Sequence, residues 1–273
     1  MELILGIYRT LMGGLLGLII GSFLNVLIYR LPRHESVSRG RSHCPSCHHQ
    51  LSGLDLVPVF SYLLLHRRCR YCHQPIAARY MIVELISGLF FAVTLAVWGS
   101  GPFSPAASPG PVWLSRLPDS AVNGIHIALY LILFCAFLVG SFIAVDRQKQ
   151  PAALFFWIGI PIVLLLVLQP GYILKHLTGA LLTAGLWFLL TRFYPAAEAD
   201  RQQKQTEWVL LALTGLSTGL WAMQPALAVA LVIVFSGSTQ ATFDDSRLHR
   251  SRSLRNHLLP IVCITAFVSG LFF

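Results

Sequence analysis

Eight stretches of this chain are too apolar to face water along their whole length, and they leave little sequence over for anything else. They occupy residues 11–28, 81–98, 122–145, 152–169, 176–191, 207–222, 226–236 and 257–273. A helix that crosses a bilayer needs about 20 apolar residues. The first four stretches meet that length or come near it, and the fifth and eighth are adequate. The sixth and seventh are short and are separated by Gln224-Pro225, so they are either two spans or one broken, re-entrant element. Charge points the same way. Only 11% of the 273 residues are charged and 55% are hydrophobic, where a soluble domain carries about 25% charged residues. The expected fold is therefore all-α: a polytopic membrane protein of about eight transmembrane helices, or seven if residues 207–236 count once. Met1-Glu2-Leu3 lacks the basic start of a cleaved secretory signal, so the first stretch is expected to remain as a span.

The net charge of +9 would suggest nucleic acid as a partner of a soluble protein. Here it reports topology, and no nucleic acid is expected. With the N-terminus outside, seventeen of the twenty Lys and Arg residues fall in inside loops, leaving Arg9, Arg116 and Lys175 outside. Such a bias is the signature of the cytoplasmic side. The chain then divides into residues 1–98, the first two spans with an inside loop at 30–80; residues 99–121, an external loop; and residues 122–273, the remaining helices. Within the first span, Gly13, Gly17, Gly21, Asn25 and Tyr29 recur every fourth residue and share one helix face. Small residues at that spacing let a second helix approach closely, and packing is the expected role of the glycines.

The inside loop holds four of the six cysteines, as Cys44-Pro-Ser-Cys47 and Cys69-Arg-Tyr-Cys72. Two such pairs supply the four thiolates of a zinc-ribbon-like site. Two disulfides are the alternative, but a reducing compartment disfavours them. With four protein ligands the zinc would be structural. His34, His43, His48, His49, His66 and His73 lie in the same region. They are read as solvated groups or as supports of the cysteines, with His48 or His73 a less favoured ligand. Cys135 and Cys263 stand alone in apolar spans and read as small core residues.

The residues around the loop carry a resemblance. Gly21-Ser-Phe-Leu-Asn-Val-Leu-Ile-Tyr-Arg-Leu-Pro32 leads into the first cysteine pair. Asp55, Pro58, Ser61-Tyr-Leu63, the second pair, Pro75-Ile76, Arg79-Tyr80 and Glu84 follow. Over most of residues 14–95 the chain resembles the type IV prepilin leader peptidase/N-methyltransferase family. The resemblance implies a bifunctional bacterial inner-membrane enzyme. It cleaves the basic leader of prepilins or pseudopilins at the cytoplasmic face, then methylates the new N-terminus with S-adenosylmethionine. Residues 1–98 would be the methyltransferase-associated region and residues 122–273 the peptidase-like helices. No residue of the S-adenosylmethionine pocket is identified.

Proteolysis in the family uses two aspartates near the cytoplasmic ends of spans, one in a D-x-x-x-x-x-x-P-D context and one in G-x-G-D-x-K. Two carboxylates sharing a proton can act as base toward water and acid toward a scissile carbonyl. The resemblance places the first on Asp146, closing the third span. Arg147-Gln-Lys-Gln-Pro151 after it is shorter than the family pattern and lacks the second Asp. Capping the membrane boundary is the alternative role of Asp146. Leu210-Leu211-Ala212 and Gly215 match the run after the second motif, which puts Glu207 in the aspartate slot. Lys204, Gln205 and Thr206 stand where the glycine turn belongs, and Val209 replaces the lysine. Asp200, Asp244 and Asp245 lie among basic residues and read as charge partners. Glu84 reads as a group near the interface or a partner of Arg79. Three functions stand together: a divergent peptidase/methyltransferase using Asp146 and Glu207; a peptidase-impaired relative that methylates or binds prepilins; and a non-enzymatic membrane scaffold.

Overall fold

The computed structural model describes residues 1–97, 118–146 and 148–168, with isolated positions at 173–174, 177–181, 185, 213–214 and 265. Two units, residues 1–100 and 101–273, each hold together internally. In the first unit, α1 (Glu2–Arg30) is followed by a 3₁₀ turn at Leu31–Arg33 and another at Gly53–Leu56. The short α2 (Phe60–Leu64) and then α3 (Arg79–Val97) complete it. In the second, α4 (Asp119–Val145) precedes α5 (Ala152–Leu168). The described regular structure is helical, joined only by two isolated β-bridges.

Among the described residues, three segments are long and apolar enough to cross a membrane: Leu3–Arg33, Arg79–Val97 and Ser120–Val145. They correspond to the first three expected spans. The first helix starts well before residue 11, because residues 3–8 are themselves apolar and Arg9 is the one charged residue between Leu3 and Tyr29. The fourth expected span is the apolar helix Ala152–Leu168. The external loop and the spans expected at 176–191, 207–222, 226–236 and 257–273 lie, apart from isolated positions, outside the described residues.

The glycine stripe of α1 is where α3 lies. A Cβ on Gly13 would stand 2.8 Å from the Phe91 carbonyl oxygen, one on Gly17 2.5 Å from that of Ser87, and one on Gly21 2.8 Å from the Glu84 Cα. Ascending numbers on α1 meet descending numbers on α3, so the helices run antiparallel. One turn further, Asn25 Nδ2 donates across to the Tyr80 carbonyl at 3.0 Å. In lipid, where apolar surface gains nothing by leaving solvent, such close backbone contact and interhelical hydrogen bonding are what hold two spans together. The opposite face of α1, with Leu3, Ile7, Leu11, Leu15 and Ile19, is exposed.

Proline sets the end of α1. Pro32 opens the 3₁₀ turn and His34 stops it in the left-handed region at φ 57°. The last helical residue, Arg30, then folds over the following loop. Its guanidinium donates to the carbonyls of Ser36 and Arg39 at 2.9 Å, and of Gly40 and Arg41 at 3.4 Å. Only 8% of Arg30 is exposed, so these carbonyl dipoles do the work of water around a buried cation. In the second unit, Val122 and Leu129 from early α4 pack with Leu165 and Leu168 from late α5, which makes that pair antiparallel as well.

Candidate metal centre and carboxylate site

The two Cys-x-x-Cys segments fold into knuckles with one hydrogen-bond plan, repeated 25 residues on. The Cys44 N–H donates to the His49 carbonyl and that of Cys69 to the Gln74 carbonyl; the His48 N–H returns to Cys44 and that of His73 to Cys69. The Leu51 N–H meets the Ser42 carbonyl as that of Ile76 meets Arg67. Both turns need a residue of positive φ just after the second cysteine, and His48 (56°) and His73 (57°) supply it. Histidine enters this region more readily than most side chains. The repeated C-x-x-C-H is the visible signal for this duplication, which a reading of the histidines as solvated groups, supports or ligands does not reveal.

Both knuckles aim their thiols at one point. The four Sγ atoms of Cys44, Cys47, Cys69 and Cys72 lie within 4.8 Å of one another, with Cys44 and Cys72 at 3.9 Å. A tetrahedral zinc with Zn–S bonds of ~2.3 Å would set its sulfurs roughly 3.8 Å apart. The donors therefore fit a divalent thiophilic ion in both number and spacing. Cys44 and Cys69 are buried, Cys47 is exposed and Cys72 is half-buried. Electrostatics shows why a cation belongs there. Burial opposes ionisation of Cys44, but N–H groups of Cys47 and Ser46 and neighbouring thiols outweigh it and bring it down to about 7. At Cys72 the Gln74 N–H favours the thiolate, yet burial and the other three sulfurs push it up to about 12. One thiolate forms readily and the last resists, the behaviour of a site short of positive charge. All six histidines of the region are exposed, and among the described residues the metal-competent group consists of the cysteines alone. The His49 ring lies 3.6 Å, centroid to centroid, from that of Tyr71, joining the knuckles from outside.

Asp55 ties the linker to the second knuckle. One carboxylate oxygen accepts from the Ser52 N–H and hydroxyl, closing a capping box. The other accepts from Arg70 Nε at 2.7 Å. Burial alone would raise the acid, but these donors, Arg70 first, hold it below the usual carboxylate range. An acid lowered in the folded state adds stability above its unfolded value and loses it as pH falls through the folded one. The stability gap between wild type and Asp55→Asn should therefore be full at neutral pH and close in acid. The gap is expected to be small, because Arg70 is half exposed and solvent screens the pair. Urea unfolding of the metal-loaded chain across pH checks this, and a gap that widens in acid would contradict it.

Glu84 is only 9% exposed, and its carboxylate takes the Val59 N–H at 2.8 Å and the Ser22 hydroxyl. Val59 sits at φ 62°, ψ −48°, with the Phe60 N–H returning to Pro58 at 2.6 Å. This is the rare, strained hand of the γ-turn, and the buried carboxylate latches it onto α3. No side-chain pattern in the sequence marks this pairing, because its donor is a backbone N–H.

A model of the bacterial peptidase A24 N-terminal domain matches residues 15–98, the stretch that holds Gly17 and Gly21 of the stripe, both knuckles and the Glu84 latch. Residues 15–98 are a bacterial peptidase A24 N-terminal domain. The A24 domain has curated relatives. A prepilin leader peptidase/N-methyltransferase of Myxococcus xanthus is 49% identical over 84 residues, 31% of this chain and 25% of that protein. One from Vibrio cholerae is 37% identical over 133 residues, 46% of this chain and 45% of its own. A type 4 prepilin-like proteins leader peptide-processing enzyme of Escherichia coli is 33% identical over 156 residues, covering 50% and 57%. The chain thus spans between a quarter and just over half of the length of these relatives. No solved structure matches it.

Beyond the A24 domain, Asp146 lies at the C-terminal cap of α4, its N–H bonded to the Phe142 carbonyl. The chain folds back after it. The Gln148 N–H meets the Ile143 carbonyl, and Gln150 Nε2 donates to that of Gly140 at 2.7 Å. Anchored on Asp146, the D-x-x-x-x-x-x-P-D pattern meets Ala153 and Leu154 where it requires Pro and Asp. Anchored on Pro151, it meets Ala144 and Ala152 in place of both aspartates. Glu207 lies outside the described residues, as do Asp200, Asp244 and Asp245.

Proposed function

We propose that this chain is a bacterial inner-membrane enzyme of prepilin or pseudopilin maturation. It removes the basic leader at the cytoplasmic face and N-methylates the new terminus, with the knuckles held by a structural zinc. The observation that carries this reading is the four-thiol site between α1 and α3, inside an A24 domain whose named relatives process prepilins. Asp146 and Glu207 are the proposed carboxylate pair. The place of Asp146 favours chemistry over capping, since a negative charge is unfavourable at the C-terminal end of a helix dipole. S-adenosylmethionine supplies an activated methyl group on this reading, and no residue is assigned to it.

A second reading, a peptidase-impaired relative that still binds or methylates prepilins, is favoured by one observation. Neither anchoring of the first motif restores a full set of its residues, and Glu207 adds a methylene in the second. A misplacement of about 1 Å can cost on the order of 10²-fold in rate.

Membranes containing the chain, given a model prepilin and read by mass, separate the two. The first reading expects a leader-free product that falls by about 10²-fold or more in Asp146→Asn, the scale of a lost acid–base group. Full cleavage by Glu207→Gln would remove Glu207 from the mechanism. Methylation of a pre-cleaved pilin without cleavage of the precursor would establish the second reading. A chain that did neither, in membranes where a relative does both, would leave only the scaffold.

A further inference from the structure

The loop joining α1 to α3 carries an apolar face that is open among the described residues. Leu54, Leu56, Val57, Phe60, Leu63 and Leu64 fall within eleven positions and all are exposed, Leu54 by 74% and Leu64 by 76%. Scattered exposed leucines need no explanation, but six large apolar residues in so short a stretch mark an interaction surface. The exposure is one-sided. Between Phe60 and Leu63, Tyr62 is buried and its hydroxyl points to the Ile76 carbonyl at 3.5 Å.

Geometry sets the depth of this face. The Glu84 latch holds the Val59 N–H at 2.8 Å, and Glu84 is five residues past Arg79, where α3 begins. At 1.5 Å per residue, the Glu84 Cα lies about 7.5 Å inward of Arg79 along the helix axis, and the latch ties Val59 to that level within the reach of one side chain. Amphipathic elements that lie in a bilayer interface sit ~5–10 Å into the headgroup and acyl boundary. Charge completes the match. Arg67 and Arg68 follow α2 and are exposed, and residues 30–80 hold eight arginines against Glu35 and Asp55. Anionic headgroups attract basic segments next to a span.

We propose that residues 54–64 dock into the lipid leaflet facing the loop, with Phe60, Leu63 and Leu64 at the acyl boundary and Arg67 and Arg68 on anionic phosphates. The element thereby fixes the attitude of the four-thiol site to the membrane. It rests on α1 and α3 being spans and not on either carboxylate, so it stands or falls apart from the maturation activity.

Photocrosslinking of the full chain in nanodiscs of phosphatidylethanolamine and phosphatidylglycerol tests it. Benzoylphenylalanine replaces Phe60 or Leu64, with exposed Ser46 as the polar control, in chains that retain their metal. Mass spectrometry after irradiation should find lipid adducts at positions 60 and 64 and none at 46. The yield should drop when both arginines become glutamine or when neutral lipid replaces the anionic one. Adducts to residues 101–273, to a second copy or to a co-purified protein would overturn the proposal, as would no adduct at either position.

Discussion

Serine in place of Cys69 is expected to empty the metal centre and to unfold residues 42–76 while α1 and α3 stay in the membrane. Beyond the His49–Tyr71 ring contact and the Asp55–Arg70 pair, little else holds the knuckles. The described module has two isolated bridges and no continuous strand, and Cys44 and Cys69 are its buried centre. In sites of this kind the apparent free energy of zinc binding, about 10–16 kcal/mol, is also the free energy of folding. Wild type should carry about one zinc per chain, as a single four-ligand site requires. Elemental analysis and limited proteolysis of wild type, Cys69→Ser and a chelated sample check both halves. A metal-free wild type that resists protease between Ser42 and Ile76 would refute the assignment.

Leucine at Gly17 should have the second large effect, through a different part of the unit. The first atom of any side chain there would meet the Ser87 carbonyl oxygen at 2.5 Å, the Phe91 Cβ at 2.7 Å and the Gly88 Cα at 2.9 Å. Two of these are backbone and cannot swing aside, so α1 and α3 must separate. Overpacking of this sort costs about 1–3 kcal/mol, occasionally more, and separation also strips Asn25 of its bond to Tyr80. Gly6 is the control, since among the described residues nothing lies within 4 Å of a Cβ there. Thermal unfolding in detergent should show a marked loss for Gly17→Leu and almost none for Gly6→Leu. Leucine raises helix propensity at both positions, so equal losses would mean that contact with α3 is not what Gly17 provides.

The parts of this molecule legible in the sequence are those where one residue type admits one use. Four-residue spacing of Gly13, Gly17 and Gly21 marks a contact face because nothing else has so little bulk. The paired Cys-x-x-Cys segments mark a four-thiol site because few other arrangements use thiols at that spacing. Less legible were the residues whose partners are backbone. Glu84 reads from the sequence as a group near the interface or a partner of Arg79, yet it accepts from an N–H group 25 residues away, and any residue but proline could offer one. Arg30 similarly serves four carbonyls, which leave no trace in side-chain identity. His48 and His73 hid their conformational role behind their chemistry, because histidine beside cysteine suggests a ligand before it suggests a turn. Asp146 is where the sequence expected it, at the end of a span. Its pairing with Glu207 is a matter of distance, and no pattern of letters supplies one.

The 25-residue repeat of the knuckles also bears on the order of assembly. Each knuckle closes through contacts only four to nine residues apart in the chain, so each can form by itself on the timescale of local turns. Joining them requires closing the 21-residue interval between Cys47 and Cys69. For a flexible chain that costs about 3 kcal/mol in entropy. A newly synthesised loop can thus carry a bidentate half-site as soon as Cys47 emerges, load an ion there, and wait for Cys69 and Cys72 to displace its waters. The metal centre would then be a late-locking clasp, holding the α1–α3 hairpin's loop closed only once the second knuckle has been made.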